Sequence, residues 1–138
     1  MSLEDFIVVP LERSFAAVYG HELIDATHAR VPVKPHLLGA HGAVHSGVYA
    51  SVAESLASTG TAVEMVPQGF MVSGLSNATY VLADVSDGVL EATARCRARA
   101  DGEWLWDVEI RAGETLAAQA TVVIAVRPAS RAARPDGS

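Results

Sequence analysis

One stretch of the chain combines a glycine-flanked loop, a histidine and, further along, a lone carboxylate. It runs from Gly42 through His45, Ser46 and Gly47 to Glu54. If a helix begins in this loop, its first backbone N–H groups lack intrahelical partners and lie at the positive end of the helix dipole. Such groups stabilise the negative charge that forms on a carbonyl oxygen when its carbon is attacked. The pattern therefore favours chemistry at a carbonyl.

Glu54 is the candidate catalytic group of this stretch. Its near neighbours are apolar: Val52, Ala53, Leu56 and Ala57. A carboxylate on the apolar part of a helix is costly unless it is paired or used. The alternative is a structural carboxylate bonded to a neighbouring backbone group or serine, and the residues alone leave both interpretations open.

Two other chemistries are disfavoured. His36, His41 and His45 suggest a metal site, but a loop that contains glycine does not hold them at regular helical spacing, and no cysteine is nearby. The chain has no Gly-x-Ser-x-Gly nucleophile elbow. We therefore expect neither a metal nor a serine triad.

The elements that must position these residues are one helix and a set of strands. Residues 44–65 contain no proline, are rich in alanine and have apolar residues at helical spacing, which predicts a helix. Beyond Pro67, runs of valine, threonine and aromatic residues are separated by Asp-Gly or Ala-Gly pairs, which predicts antiparallel strands joined by tight turns. These strands are expected at 70–82, 88–100, 103–111 and 115–126.

The two ends of the chain have weaker patterns. Residues 15–19 and 26–33 are weaker strand candidates, and 3–11 form either a short helix or an irregular lead-in. The tail 129–138 has little apolar content and is expected to be disordered. We predict a single α+β domain over residues 1–128, in which an antiparallel sheet of five to six strands wraps around one long central helix.

Composition limits the partners and the location. The chain has 138 residues and a net charge of -6, which disfavours nucleic acid or an acidic membrane surface as the main partner. No apolar run approaches the roughly 20 residues needed to span a bilayer. The single cysteine, Cys96, cannot form an internal disulfide, and no secretory signal pattern is seen, so we expect a cytoplasmic protein.

Several ordered motifs resemble those of one enzyme family. Residues 44–49 and 53–57 read Val-His-Ser-Gly-Val-Tyr and Ala-Glu-Ser-Leu-Ala, similar to the family's Val-His-Gly-Gly-Ala-Tyr and Ala-Glu-x-Leu-Ala. Residues 74–79, 104–108 and 124–128 resemble its Gly-x-Ser-Asn-x-Thr, its Trp-x-Trp-Asp-Val and its last strand. Over most of its length the chain resembles the Arthrobacter-type 4-hydroxybenzoyl-CoA thioesterases and the related phenylacetate-type enzymes.

The resemblance implies a hotdog fold that hydrolyses an acyl-CoA without a cofactor and assembles as a dimer of dimers. Glu54 matches the family's catalytic glutamate, which acts as nucleophile or general base. The backbone N–H of Ser46 matches the oxyanion donor, with Gly47 beside it. His45 and Ser58 match positions that line the acyl pocket.

The remaining candidate substrate contacts lie outside the helix start. Asn77 and Thr79 fall on a strand that would pass the helix, where they are either contacts or structural residues. Tyr49 either lines the acyl pocket or packs in the core. Arg127 stands where the family has a phosphate contact.

The chain also departs from the family pattern. Serine replaces glycine at position 46, and a glutamine of the family's site falls near Gly39. Where the family approaches phosphate with hydroxyl groups, this chain has Asp101 and Glu103. Alternation along one strand predicts that three arginines share a face and could anchor a nucleotide instead: Arg95, Arg97 and Arg99.

Three functions follow from these residues. The first is an acyl-CoA thioesterase, with acyl carrier protein as an alternative donor. The second is a hotdog hydratase or dehydratase, which also pairs a loop histidine with a helix carboxylate. The third is a hotdog protein that binds acyl-CoA without catalysis, suggested by the missing nucleotide contacts.

Overall fold

A computed structural model describes residues 9–129 of the chain. Most of the predicted lead-in at 3–11 and the predicted tail beyond 129 lie outside the described residues. Ala129 itself is buried, and its N–H donates to the carbonyl of Gly69 at 2.8 Å. Ala129, one residue past the predicted domain boundary, therefore packs with the rest of the described chain.

Six strands form one antiparallel sheet, and a long helix lies across one face of it. The strand order is β1-β2-β4-β5-β6-β3. The predicted α+β architecture is confirmed, with six strands. In chain order the elements are α1 (Ala16–Tyr19), β1 (Glu22–Asp25), β2 (His28–Pro32), α2 (Ser46–Met65), β3 (Phe70–Val81), β4 (Val89–Ala100), β5 (Glu103–Ala112) and β6 (Thr115–Pro128), with single 3-10 turns at Leu11–Arg13, Pro35–Leu37 and Val66–Gln68.

Helix α2 has 20 residues and buries a stripe of small and apolar side chains against the sheet. The stripe recurs every three or four residues, as expected of a helix that is packed on one side. It consists of Tyr49, Val52, Ala53, Leu56, Ala57 and Gly60. The predicted helix at 44–65 is confirmed, except that it begins at Ser46.

The sheet receives the helix on the face where alternate residues of β4, β5 and β6 are buried. On β5 these are Trp104, Trp106, Val108 and Ile110. The absence of a side chain at Gly60 lets Trp106 pack on the helix, since a β-carbon there would lie 2.6 Å from Trp106 Cη2. Trp106 Nε1 then donates to Thr61 Oγ1 at 2.9 Å. Helix and sheet are thus held in one register.

The two edges of the sheet differ. Strand β1 has four residues, all exposed, and a register shift between Leu23 and Asp25. Strand β3 has 12 residues without a single charged side chain, and its Leu75 and Tyr80 are 55% and 63% exposed. Short or charged edges resist pairing with another chain, whereas a long uncharged edge invites it.

The N-terminal region differs from its prediction. Residues 15–19 were expected to form a strand, but 16–19 are the helix α1, which ends at Gly20 with a positive φ of 70°. A short apolar run cannot be assigned to helix or strand from periodicity alone. The strand expected at 26–33 is confirmed as β2, and β1 pairs with it through a turn in which Asp25 accepts from the N–H of Thr27 at 2.9 Å.

Candidate active site

The first turn of α2 exposes one backbone donor that has no partner. His45 caps the helix in an extended conformation, and its Nδ1 accepts from the N–H of Gly47 at 2.9 Å. The N–H of Val48 donates to the carbonyl of His45. Among the described residues, nothing accepts from the N–H of Ser46, and this residue is exposed. Of the two predicted oxyanion donors, the N–H of Ser46 is therefore free, whereas the N–H of Gly47 already donates to His45.

The cap determines which tautomer the neutral His45 ring adopts. Because Nδ1 accepts a hydrogen bond, the ring proton of the neutral imidazole must be on Nε2. The exposed His45 side chain thus offers a second donor beside the free N–H. Serine at position 46 costs no backbone strain, since no described residue other than glycine has a positive φ.

The loop before the helix is pinned by backbone hydrogen bonds. Gly39 N–H donates to the carbonyl of Ala43 at 2.7 Å, and Val44 N–H to the carbonyl of Val85 at 2.8 Å. The N–H of His45 donates to Leu37 at 2.9 Å. These bonds hold the helix start against both neighbouring segments, so the free donor has a fixed direction.

Glu54 lies two turns further along the same helix, at an open groove of about 300 Å³. Its side chain is exposed and has no hydrogen-bond or ion-pair partner among the described residues. Glu54 is therefore not a structural carboxylate that is hydrogen-bonded to a neighbouring backbone group or serine. The groove is lined by Phe15, Ala50, Ser51, Glu54, Ser55 and Asn77.

The Glu54 carboxylate lies directly on the backbone of Gly74 in β3. A β-carbon at residue 74 would be 2.7 Å from Cδ and 2.8 Å from Oε2 of Glu54. The strand has a register shift between Gly74 and Ser76 at this place. Only glycine leaves the carboxylate in its observed position, because any side chain would displace it.

Asn77 and Thr79 tie β3 to the helix beside Glu54. Asn77 Nδ2 donates to the carbonyl of Ala50 at 2.9 Å, and Thr79 Oγ1 donates to Asn77 Oδ1 at 2.7 Å. Both side chains are half-buried, and Asn77 also lines the groove. Their contacts hold the strand and helix together at the groove floor.

A second group beside Glu54 was not predicted from the sequence. Tyr19 is buried, and its hydroxyl is 2.5 Å from Ser55 Oγ. Burial raises the pKa of the Tyr19 phenol, and the nearby Glu54 charge adds to the rise. The ring of Phe15 packs edge-on against Tyr19 with centroids 5.6 Å apart. No sequence signal joins α1 to the third turn of α2, because the two are 36 residues apart.

His21 continues this aromatic cluster. Its ring packs edge-on against Tyr19 at a centroid distance of 5.7 Å. Nδ1 of His21 is buried without a hydrogen-bond partner, and burial lowers the pKa of the imidazole. The cluster therefore favours a neutral His21.

Two further predicted site residues lie on α2. Tyr49 is 0% exposed, and its buried hydroxyl has no hydrogen-bond partner in the described part of the chain. It packs in the core behind the first turn. Ser58 is half-buried and lies one helical turn beyond Glu54 on the same side.

The three arginines of β4 do not share a face. A register shift between Cys96 and Ala98 breaks the alternation, as an extra residue in a strand does. Arg97 pairs with Asp107 on the outer face and lowers the pKa of that carboxyl. Arg99 instead pairs with Glu64 of the helix at 2.8 Å and lies 3.9 Å from the ring centre of Trp104.

Arg127 holds a turn. Its Nη1 donates to the carbonyls of Gly102 and Val126, which joins the end of β6 to the β4–β5 turn. The side chain is exposed, and Asp101 and Glu103 flank the turn that it holds. Its phosphate contact stays a prediction.

The described chain does not bring the free donor and the carboxylate together. Ser46 and Glu54 are eight residues apart on one helix, which is about 12 Å at 1.5 Å per residue. One carbonyl group cannot contact both.

Within residues 9–129, no three metal-binding side chains lie close enough to hold an ion, and no helix is long and apolar enough to cross a membrane.

Comparison with known proteins identifies the family. No family model matches the chain. Over 106 residues, 75% of this chain and 76% of the other, it is 30% identical to the Mycobacterium tuberculosis protein named "Putative esterase Rv1847". The solved structure of that protein superimposes with a TM-score of 0.79 at 28% identity, over 88% of this chain and 98% of the other.

Two further solved structures share the fold. A glutamine-to-alanine variant of thioesterase PA1618 from Pseudomonas aeruginosa matches with a TM-score of 0.79 at 22% identity, over 91% of each chain. A glutamine-to-alanine variant of thioesterase SAV0944 from Staphylococcus aureus matches with a TM-score of 0.76 at 22% identity, over 82% of this chain and 98% of the other. A glutamate of SAV0944, fifteen residues beyond that glutamine, has also been replaced by alanine.

The sheet, the central helix and these relatives together define the family. The chain belongs to the family of the putative esterase Rv1847, and it has the hotdog fold that it shares with the two named thioesterases.

Proposed function

We propose that the protein hydrolyses an acyl-CoA thioester to a free acid and CoA, and that each active site is shared by two chains. The observation that carries the proposal is the pair of unpartnered groups on α2: the N–H of Ser46 and the carboxylate of Glu54. One is a donor at the positive end of the helix and the other is an acceptor in an open groove. Hydrolysis of a thioester would use both groups.

The donor side would stabilise the transition state. When the thioester carbonyl is attacked, its oxygen gains negative charge, which the Ser46 N–H and the Nε2–H of His45 would stabilise. A donor that is already fixed needs no reorganisation as the charge forms. The backbone bonds of residues 39–45 supply that rigidity.

The carboxylate side would supply the attack. As general base, Glu54 takes a proton from water, the water oxygen bonds to the carbonyl carbon, and the C–S bond breaks; the departing thiolate takes up the proton and leaves as the thiol. As nucleophile, a Glu54 oxygen bonds to the carbonyl carbon and the C–S bond breaks, which releases the thiolate and leaves an anhydride that water hydrolyses to the free acid and the Glu54 carboxylate. Its position on Gly74, without a bond to any described side chain, suits both roles.

A second copy of the chain would complete the site. The exposed and uncharged edge of β3 passes the groove of Glu54, since Asn77 lies on that strand. If two β3 edges pair across a two-fold axis, each helix start faces the carboxylate of the partner and two equal sites form. Assembly of such dimers into a tetramer stays a prediction.

The acyl-CoA substrate rests on the resemblance of residues 44–49 and 53–57 to the motifs of the 4-hydroxybenzoyl-CoA thioesterases. Glutamine and glutamate are fifteen residues apart in SAV0944, and the same spacing separates Gly39 from Glu54. Acyl carrier protein is the alternative donor. Cys96 is a free thiol, which agrees with the reducing cytoplasm in which acyl-CoA is found.

The test is a thiol-release assay with aryl-, phenylacetyl- and straight-chain acyl-CoA. The acyl thioester of acyl carrier protein is tested as a second acyl donor. We expect Glu54→Ala to lower kcat by two or more orders of magnitude with little change in KM, because the carboxylate acts on the reacting carbon. Glu64→Ala removes a helix glutamate that pairs with Arg99 and is the matched control.

Two results would contradict the proposal. Near wild-type turnover by Glu54→Ala would remove the carboxylate from the mechanism. Thermal stabilisation of the wild-type protein by acyl-CoA without any thiol release would make it a binding protein instead.

A further inference from the structure

Gly39 leaves a space beside the helix start, and two imidazoles converge on it. A β-carbon at residue 39 would lie 3.0 Å from both Nδ1 and Cε1 of His41, and 3.6 Å from Cδ2 of His45. A side chain at residue 39 would therefore point to the same place as the two histidines. That place adjoins the residue whose N–H is free, because His45 directly precedes Ser46.

A tight turn holds His41 in this position. The N–H of Gly42 donates to the carbonyl of Gly39 at 2.9 Å, and Gly42 has a φ of 87°, which glycine adopts without strain. The bond from Gly39 to Ala43 closes the other side of the loop. The turn therefore brings the imidazole back over the α-carbon of Gly39, and the space for it exists because residue 39 has no side chain.

The imidazole of His41 is available to a ligand. It is exposed, and neither of its nitrogens has a hydrogen-bond partner among the described residues. In contrast, His36 is engaged, with Nε2 lying 2.7 Å from the carbonyl of Val18. Of these two loop histidines, only His41 has both nitrogens free of partners in the described part of the chain.

We propose that His41 is a further catalytic residue, which donates a hydrogen bond from its imidazole to the thioester carbonyl oxygen alongside the Ser46 N–H. The inference rests on the proposed function. In this proposal His41 makes the contact that a polar side chain at position 39 would make in its place, because residue 39 is a glycine.

The main test replaces His41 by phenylalanine. A phenyl ring preserves the packing over Gly39 but cannot donate, so His41→Phe should lower kcat by roughly tenfold to a hundredfold while KM and Tm change little. His41→Ala is the second variant if phenylalanine perturbs the loop. His28→Phe, on the exposed β1–β2 hairpin where His28 pairs with Asp25, is the control and should keep full activity.

Rescue gives a readout that a structural role would not produce. In the double variant Gly39→Gln with His41→Ala, the amide occupies the vacated space, and we expect it to recover part of the lost kcat. Gly39→Gln alone should be impaired, because its side chain would collide with the imidazole.

The outcomes separate this inference from the proposed function. If the wild-type protein releases thiol, Glu54→Ala is inactive and His41→Phe or His41→Ala turns over at the wild-type rate, the role of His41 is wrong and the proposed function stands. If the wild-type protein releases no thiol from any donor, the proposed function is wrong. Loss of kcat without rescue by Gly39→Gln would also overturn the hydrogen-bonding role.

Discussion

The first and third turns of the central helix carry the two halves of the proposed site, and they are built in opposite ways. At the first turn the reactive group is a backbone N–H, fixed by a loop whose own N–H groups are bonded. At the third turn it is a carboxylate without a hydrogen-bond or ion-pair partner among the described residues, which lies against the backbone of Gly74. The donor therefore depends on the backbone, and the acceptor depends on one side chain and one distant glycine.

This difference explains which substitutions each half tolerates. Serine at 46 preserves the donor because every residue except proline has a backbone N–H, and the backbone there does not need a positive φ. In the proposed mechanism, only another acidic side chain could replace Glu54. The most informative experiments remove one half and leave the other intact.

The largest expected effect is the recovery of activity in mixed dimers. Ser46→Pro removes the free N–H, and proline suits this position because it is the first of the helix and the preceding His45 has φ −65° and ψ 138°. Ser46→Pro and Glu54→Ala should each be nearly inactive. Co-expressed, they should recover roughly a quarter of wild-type activity, because half of randomly paired dimers regain one of two sites.

The mixed-dimer experiment needs two controls. Ser46→Ala preserves the N–H and should remain near wild-type activity, which separates the loss of the donor from the loss of the serine side chain. Differently tagged chains must be shown to co-purify. If mixed dimers form from folded chains and their activity stays at the level of the single variants, the shared site is wrong.

An intermediate effect is expected from Gly74→Ala. The new methyl group would overlap the carboxylate, and the exposed Glu54 side chain can move away at little cost. We expect kcat to fall by about tenfold, since a displacement near 1 Å has large kinetic consequences, while Tm changes little. Ser73→Ala, on the neighbouring exposed residue of β3, is the matched control. A Gly74→Ala protein of normal kcat would show that the glycine does not position the carboxylate.

The smallest expected effect is on the pH dependence of stability. It comes from His21, which belongs to the aromatic cluster near Glu54. Burial lowers the pKa of His21 below its usual 6.5, so the unfolded chain binds a proton before the folded one does. Stability should therefore be lost as the pH falls below about 6.5 and should be unaffected above it. Thermal melts at pH 7.5 and 5.5 should differ by a few degrees more in the wild type than in His21→Phe. Equal differences would contradict this role of His21.

Sequence patterns predicted the elements that follow a strong periodicity. Helix α2 and strands β4 to β6 are long and bury alternate or helically spaced residues, so the pattern and the packing agree. Strand β1 was not predicted because all four of its residues are exposed. The short segment 15–19 was predicted as a strand and forms helix α1, because its apolar run is too short to distinguish the two.

The candidate site was most predictable where its residues are close in sequence. His45, Ser46 and Glu54 lie on one helix, so one motif contains them all. The contact of Glu54 with Gly74 joins residues 20 positions apart, and that of Tyr19 with Ser55 joins residues 36 apart. Such contacts depend on how the helix packs on the sheet, and no local pattern encodes them.

The packing of Trp106 on Gly60 has a spectroscopic consequence. The chain has two tryptophans, Trp104 and Trp106, and both are buried on β5 under the helix, with ring centres 6.5 Å apart. Intrinsic fluorescence of the native enzyme should thus report whether α2 is docked on the sheet. Quenching by acrylamide should be weak in the native protein and should increase when the helix detaches, without any label on the chain.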